Sequence, residues 1–85
     1  MTDSPPPADP QKGLAKAIGL LRRKAQLSQG ALAEKAGLHA SYLARVESGF
    51  EDPTWGDVRR VAEALGVSME ALSELAEEQQ SDQEV

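Results

Sequence analysis

The sequence predicts an all-α domain of five short helices. Three observations carry this. Apolar residues recur at intervals of three and four, small polar residues stand where helices would open, and glycines stand where they would close. No period-two run is long enough for a sheet. Leu14, Ala17, Ile18, Leu21 and Ala25 form one stripe, predicting a first helix over residues 11–26, with Lys12, Lys16 and Arg23 on its wet face. Ser28 can cap a second helix over 29–36 by accepting from an early backbone amide. Gly37 then supplies the positive φ of a sharp exit. A third helix is predicted over 40–48, closing at Gly49. Pro53 disfavours helix in the residue before it, and Thr54 with Asp57 fits the cap-and-third-residue pattern that opens a fourth. That helix carries Trp55, Val58, Val61, Ala62 and Leu65 on one stripe and stops at Gly66. Ser68 caps a fifth, with Met69, Leu72, Leu75 and Ala76 as its apolar side.

A chain of 85 residues makes one domain, and one this short buries only roughly 60% of the surface its unfolded state exposes. Its 40% hydrophobic and 27% charged residues suit a soluble globular protein. No run approaches the apolar length of a membrane span, and no charged-then-apolar leader is evident, so the expected compartment is the cytoplasm. With no cysteine, disulfides, thiol chemistry and cysteine-ligated zinc are excluded, and the single His39 is too few for a histidine metal site. No cofactor is expected. Residues 1–10, with four prolines, read as a disordered lead-in, residues 11–76 as the folded domain, and residues 77–85 as an acidic disordered tail.

The net charge of −5 is unevenly distributed. All nine Lys and Arg lie between Lys12 and Arg60, against five acids there, whereas residues 61–85 hold seven acids and no base. A basic middle sits between acidic ends, and phosphate would meet that local field.

Residues 29–48 form the most specific pattern. Two short helices are separated only by Gly37, Leu38 and His39. A helix-turn-helix needs a small residue where its helices cross, a glycine where the chain reverses, and apolar residues beneath the angle. Ala33, Gly37 and the set Leu32, Ala36, Leu38, Leu43 and Val46 meet those needs. Of the third helix, His39, Ala40, Ser41, Tyr42, Ala44, Arg45 and Ser48 face outward. Arg45 has the best base-reading chemistry, because a guanidinium can pair with guanine O6 and N7; the alternative is a surface arginine paired with Glu47 or Glu51. Ser41 can donate or accept at several bases, and Ala40 offers a methyl contact to thymine. Tyr42 and Ser48 suit backbone phosphate, and Lys35, on the expected DNA face, would attract the phosphates of all sequences alike. His39 is a helix-start residue within reach of a base.

Residues 14–72 resemble the helix-turn-helix domain of the Cro and phage-repressor (XRE) family of bacterial transcription regulators, a five-helix lambda-repressor-like fold. The resemblance is carried by Leu21-Arg22, Leu27-Ser28-Gln29, Leu32-Ala33, Ala36-Gly37-Leu38, Tyr42-Leu43, Arg45-Val46-Glu47-Ser48-Gly49, Pro53 and the run Val61-Ala62-Glu63-Ala64-Leu65-Gly66-Val67. It implies sequence-specific binding of double-stranded DNA, usually as a symmetric dimer on a near-palindromic operator, and hence a repressor or operon controller associated with the nucleoid when bound. By position, Gln29 takes the place of the glutamine whose amide touches a DNA phosphate. Arg22 and Glu47 take the places of an arginine and a glutamate that pair and clamp the recognition helix.

Two departures from the family stand out. Where basic or small polar residues often follow the recognition helix, this chain has Phe50, Glu51 and Asp52, so either the loop tilts away from DNA or affinity is low. The acidic fifth helix and its tail make a poor DNA surface. They leave open a second function, an antitoxin-like or adaptor module that uses the acidic C-terminal region to hold a basic protein partner. Helix five, with Phe50 and Trp55, also offers apolar surface for a homodimer. An enzyme is rejected, because two short helices and a turn build no oxyanion hole and no glycine-rich phosphate loop is present.

Overall fold

The computed structural model describes residues 10–82 and contains five helices among them: α1 (Pro10–Lys24), α2 (Gln29–Ala36), α3 (Ala40–Glu47), α4 (Trp55–Leu65) and α5 (Met69–Asp82). Three openings are capped through side chains. Ser28 Oγ accepts from Ala31 N at 3.0 Å, Thr54 Oγ1 from Asp57 N at 3.1 Å, and Ser68 Oγ from Ala71 N at 3.0 Å. Each hydroxyl satisfies an amide that the helix itself leaves without an acceptor.

Four helix exits share one device. At the ends of α2, α3 and α4, Gly37, Gly49 and Gly66 adopt φ of 73°, 83° and 76°. The next residue's amide then reaches back to a carbonyl five positions earlier, as Leu38 N does to Ala33 O. α1 ends in the same way, with Leu27 N bonded to Arg22 O at 3.1 Å, but the left-handed residue is Gln26, at φ 62°. The expected helix through 26 therefore stops at Lys24, and Ala25 leaves the apolar stripe and lies exposed.

The core takes one fully buried large side chain from each of four helices: Ile18, Leu32, Leu43 and Leu72. Val58, Val61 and Ala62 of α4 close it. Burying each of these large side chains stabilises the fold by about 2 kcal/mol. Leu72 thus seals the core. Trp55, expected on the α4 stripe, is instead 71% exposed, because it opens the first turn before the helix meets the core; Phe50 is 86% exposed.

The chain's two end helices make the most extensive contact, α1 against α5. A Cβ at Gly13 would press into the Ala76 carbonyl oxygen and lie 3.1 Å from Gln80 Cβ, so glycine is what lets the backbones approach. This contact corrects two expected boundaries. Pro10, assigned to the lead-in, is the first residue of α1, a position that tolerates its missing amide hydrogen. The acidic segment expected to fray from 77 continues α5 to Asp82, with Gln79 and Gln80 partly buried. Glutamate and glutamine are good helix formers, and packing on α1 supplies what their polarity lacks. Residues 1–9 and 83–85 of the expected lead-in and tail lie outside the described residues.

Replacing Gln26 removes a side chain from a left-handed position that costs an L-residue about 1 kcal/mol or more. Gln26→Gly should therefore raise stability by up to about 1 kcal/mol, read as a higher thermal midpoint; an unchanged or lower midpoint would show that the turn carries no strain.

Candidate nucleic-acid interface

The helix-turn-helix is built as its residue types require. Leu32, Ala33 and Ala36 of α2 and Leu43 and Val46 of α3 are buried under the turn. This rooting leaves His39, Ala40, Ser41, Arg45 and Ser48 exposed along α3, with Ala44 half-buried. The leading end of α3 differs from its neighbours. His39 occupies the cap position without a side-chain hydrogen bond, so no side chain takes up the first-turn amides of the helix. Free amides at a helix start attract anions.

The trailing end is held by a clamp. Arg22 Nε donates to Glu47 Oε2 at 2.8 Å and Nη2 to Oε1 at 3.0 Å, while Nη1 reaches the Leu27 carbonyl at 2.9 Å. Gln29 Nε2 donates to the same Glu47 Oε1 at 3.0 Å. One carboxylate thus joins α1, the first residue of α2 and the last residue of α3. The pair is largely shielded, with side chains 14% and 7% exposed. Gln29, expected at a phosphate, uses one amide hydrogen on the clamp and keeps the second.

Tyr42, also expected at phosphate, is a strut. Its hydroxyl donates to Asp57 Oδ2 at 2.7 Å, tying α3 to the first turn of α4. Burial, then this hydrogen bond and the Asp57 charge, push its pKa up to about 12. Ser48 Oγ donates back to Ala44 O at 2.6 Å, so its proton too is engaged. Arg45 Nε meets Glu51 Oε1 at 3.0 Å, the surface pairing that was its alternative reading.

Lys35 does not share the exposed face of α3. It borders a shallow cleft with Arg60, Glu63 and Ala64 of α4. Two other lysines are better placed. Lys12 and Lys16 share a cleft with Glu47, Ser48 and Gly49, beside the end of α3. The sequence marks them as the wet face of α1, and only the α1–α3 packing reveals what that face adjoins. The acids Glu70, Glu74, Glu77 and Glu78 are exposed on α5, which packs on α1 and α4. Among the described residues, no group of three or more His, Asp or Glu could hold a metal ion, and no helix is long and apolar enough to cross a membrane.

A short helix rooted on two apolar residues, clamped at one end and open along its outer face is the geometry of a DNA-reading helix-turn-helix. The family model for a helix-turn-helix domain matches residues 14–75, and the chain belongs to that helix-turn-helix family. An immunity repressor protein of Bacillus phage phi105 is 40% identical over 55 residues, which are 65% of this chain and 38% of that protein; the chain thus spans well under half of that relative's length. The clp gene regulator ClgR from Corynebacterium glutamicum superposes with a TM-score of 0.87 at 23% identity, covering 92% of this chain and 83% of that one. The restriction-modification controller protein C.Esp1396I, crystallised as a tetramer with its natural 35 base-pair operator, gives 0.78 at 20% identity over 84% and 93%.

Glu47→Ala would strand the shielded Arg22 cation and should cost about 3 kcal/mol of stability. Thermal melts should show that loss, with base preference unchanged among molecules still folded; undiminished stability with altered preference would refute the clamp. Tyr42 is the chain's one tyrosine, so phenolate absorbance reads it alone. Its folded pKa lies above its unfolded value, so its contribution to stability is complete below pH 10 and is lost as pH rises towards 12. Asp57→Asn should bring the absorbance midpoint part of the way back towards 10, since burial remains; an unmoved midpoint would deny the strut.

Proposed function

We propose that this chain represses or controls transcription by binding a near-palindromic operator with α3 in the major groove. The observation that carries the reading is the exposed row His39, Ala40, Ser41, Arg45 and Ser48, on a helix whose inner residues are buried and whose far end is clamped. In such docking the recognition helix leads with its N-terminal end. Arg45 pairs with guanine, Ser41 and His39 contact neighbouring bases, and Ala40 packs against a thymine methyl. The second amide hydrogen of Gln29, the Ser48 hydroxyl after release from Ala44, and the lysines Lys12 and Lys16 serve phosphates, which position without specifying. The likeness to an immunity repressor and to an operator-bound controller supports this reading.

A palindromic site calls for two copies with recognition helices about 34 Å apart. The apolar groove of about 520 Å³ lined by Leu14, Trp55, Met69, Leu72 and Ala76 suits a second copy, since Trp55 at its rim is exposed in the single chain.

Selecting bound sites from random duplexes tests the whole reading. A recovered palindrome, with log affinity falling linearly as log salt rises, is the expected result. No enrichment, or binding indifferent to salt, would favour the protein-interaction module. On the selected site, Arg45→Ala should cost about 1–3 kcal/mol and relax preference at one or two base pairs. Lys16→Ala should weaken all duplexes alike and make the salt slope shallower by about 1. Should both variants scale every sequence equally, Arg45 does not read bases.

A further inference from the structure

We propose that Glu51 determines specificity by holding the Arg45 guanidinium along its Nε edge and presenting the two terminal nitrogens as a fork to a guanine. The inference rests on the assignment of Arg45 as the base-reading side chain. It starts from the backbone. With Gly49 at φ 83°, Gly49 N bonds Val46 O at 3.1 Å and Phe50 N bonds Arg45 O at 3.0 Å. The chain therefore folds back over the last turn of α3, and the next residue, Glu51, is delivered beside Arg45. Neither the loop nor its acid tilts away from the recognition helix.

The contact is one-sided. Glu51 Oε1 takes Nε at 3.0 Å, and among the described residues no other group bonds the Arg45 side chain. A guanidinium has five N–H donors in a rigid plane, so engaging Nε leaves four on Nη1 and Nη2, the pair whose spacing matches guanine O6 and N7. The side chains are 52% and 39% exposed, and in water such a pair holds weakly. Against a duplex the same contact loses water and strengthens. Glu51 also neutralises Arg45 towards distant phosphates, so the arginine is discouraged from swinging onto the backbone of an unrelated duplex. Both effects favour discrimination over affinity.

A carboxylate that merely repels DNA would weaken every duplex equally, and the two roles separate by experiment. The full chain and its Glu51→Ala, Glu51→Gln, Arg45→Ala and double Arg45→Ala/Glu51→Ala variants are titrated by fluorescence anisotropy at fixed salt. Three duplexes are used: the selected site, the same site with the guanine sensed by Arg45 replaced, and an unrelated sequence. Glu51→Ala should tighten the unrelated duplex about three- to tenfold and reduce the ratio between the first two about threefold. Glu51→Gln, which keeps an acceptor oxygen without the charge, should also tighten the unrelated duplex but retain most of the ratio. In the Arg45→Ala background, loss of Glu51 should leave the ratio unmoved. Equal tightening on all three duplexes with the ratio intact overturns the inference. If Arg45→Ala alone leaves the ratio at its original value, the base-reading assignment falls and this inference with it, a failure visible without any Glu51 variant. Thermal melts confirm that the loop variants remain folded.

Discussion

The placement of α3 depends on the carboxylate of Glu47. An eight-residue helix has little stability of its own in water, so its direction must be imposed from outside. Leu43 and Val46 press it onto the core, and the Tyr42 hydroxyl ties it to α4 through Asp57. The three hydrogen bonds that Glu47 receives from Arg22 and Gln29 fix the far end of α3 against α1 and α2. A carboxylate at a helix C-terminus faces the negative end of the helix dipole, and the guanidinium of Arg22 offsets that repulsion. The trailing end is the one that is locked, while the first-turn amides of the leading end take no side-chain cap.

Charge is organised in the same spirit. Two arginines, Arg22 of α1 and Arg45 of α3, are matched by the carboxylates of Glu47 and Glu51, and the pairs differ in exposure. The shielded pair fixes geometry, while the exposed pair remains available for exchange with a ligand. The acids of α5 sit on a helix packed against α1 and α4, so a chain of net charge −5 can still offer basic side chains, Lys12 and Lys16, beside α3. Net charge is a poor guide here because the fold sorts the signs by helix.

Features encoded within a few residues are legible from the sequence. Ser28, Thr54 and Ser68 cap as their types and spacing predict, because a hydroxyl and an amide three positions on meet by helical geometry alone. Gly37, Gly49 and Gly66 close helices for equally local reasons. Contacts across the fold are less legible. A glutamine carries no sign that it will turn left-handed, so the end of α1 was not readable at Gln26. The polar run after 76 is helical because α1 lies against it, and the strongest hint, Gly13, stands more than sixty positions earlier. Periodicity places the Tyr42 phenol on the outside of α3 but cannot show that Asp57 comes within 2.7 Å of it.

The pairing of α1 with α5 has a consequence for how the protein is born. Of the five helices described, α1 is synthesised before the others and finds its main partner only when α5 has been made. Until then Arg22, carried on α1, has no finished body from which to brace Glu47. Contacts between residues so far apart in the chain are late and slow to form. A nascent chain with its helix-turn-helix already synthesised would thus still hold that unit loosely until α5 packs against α1.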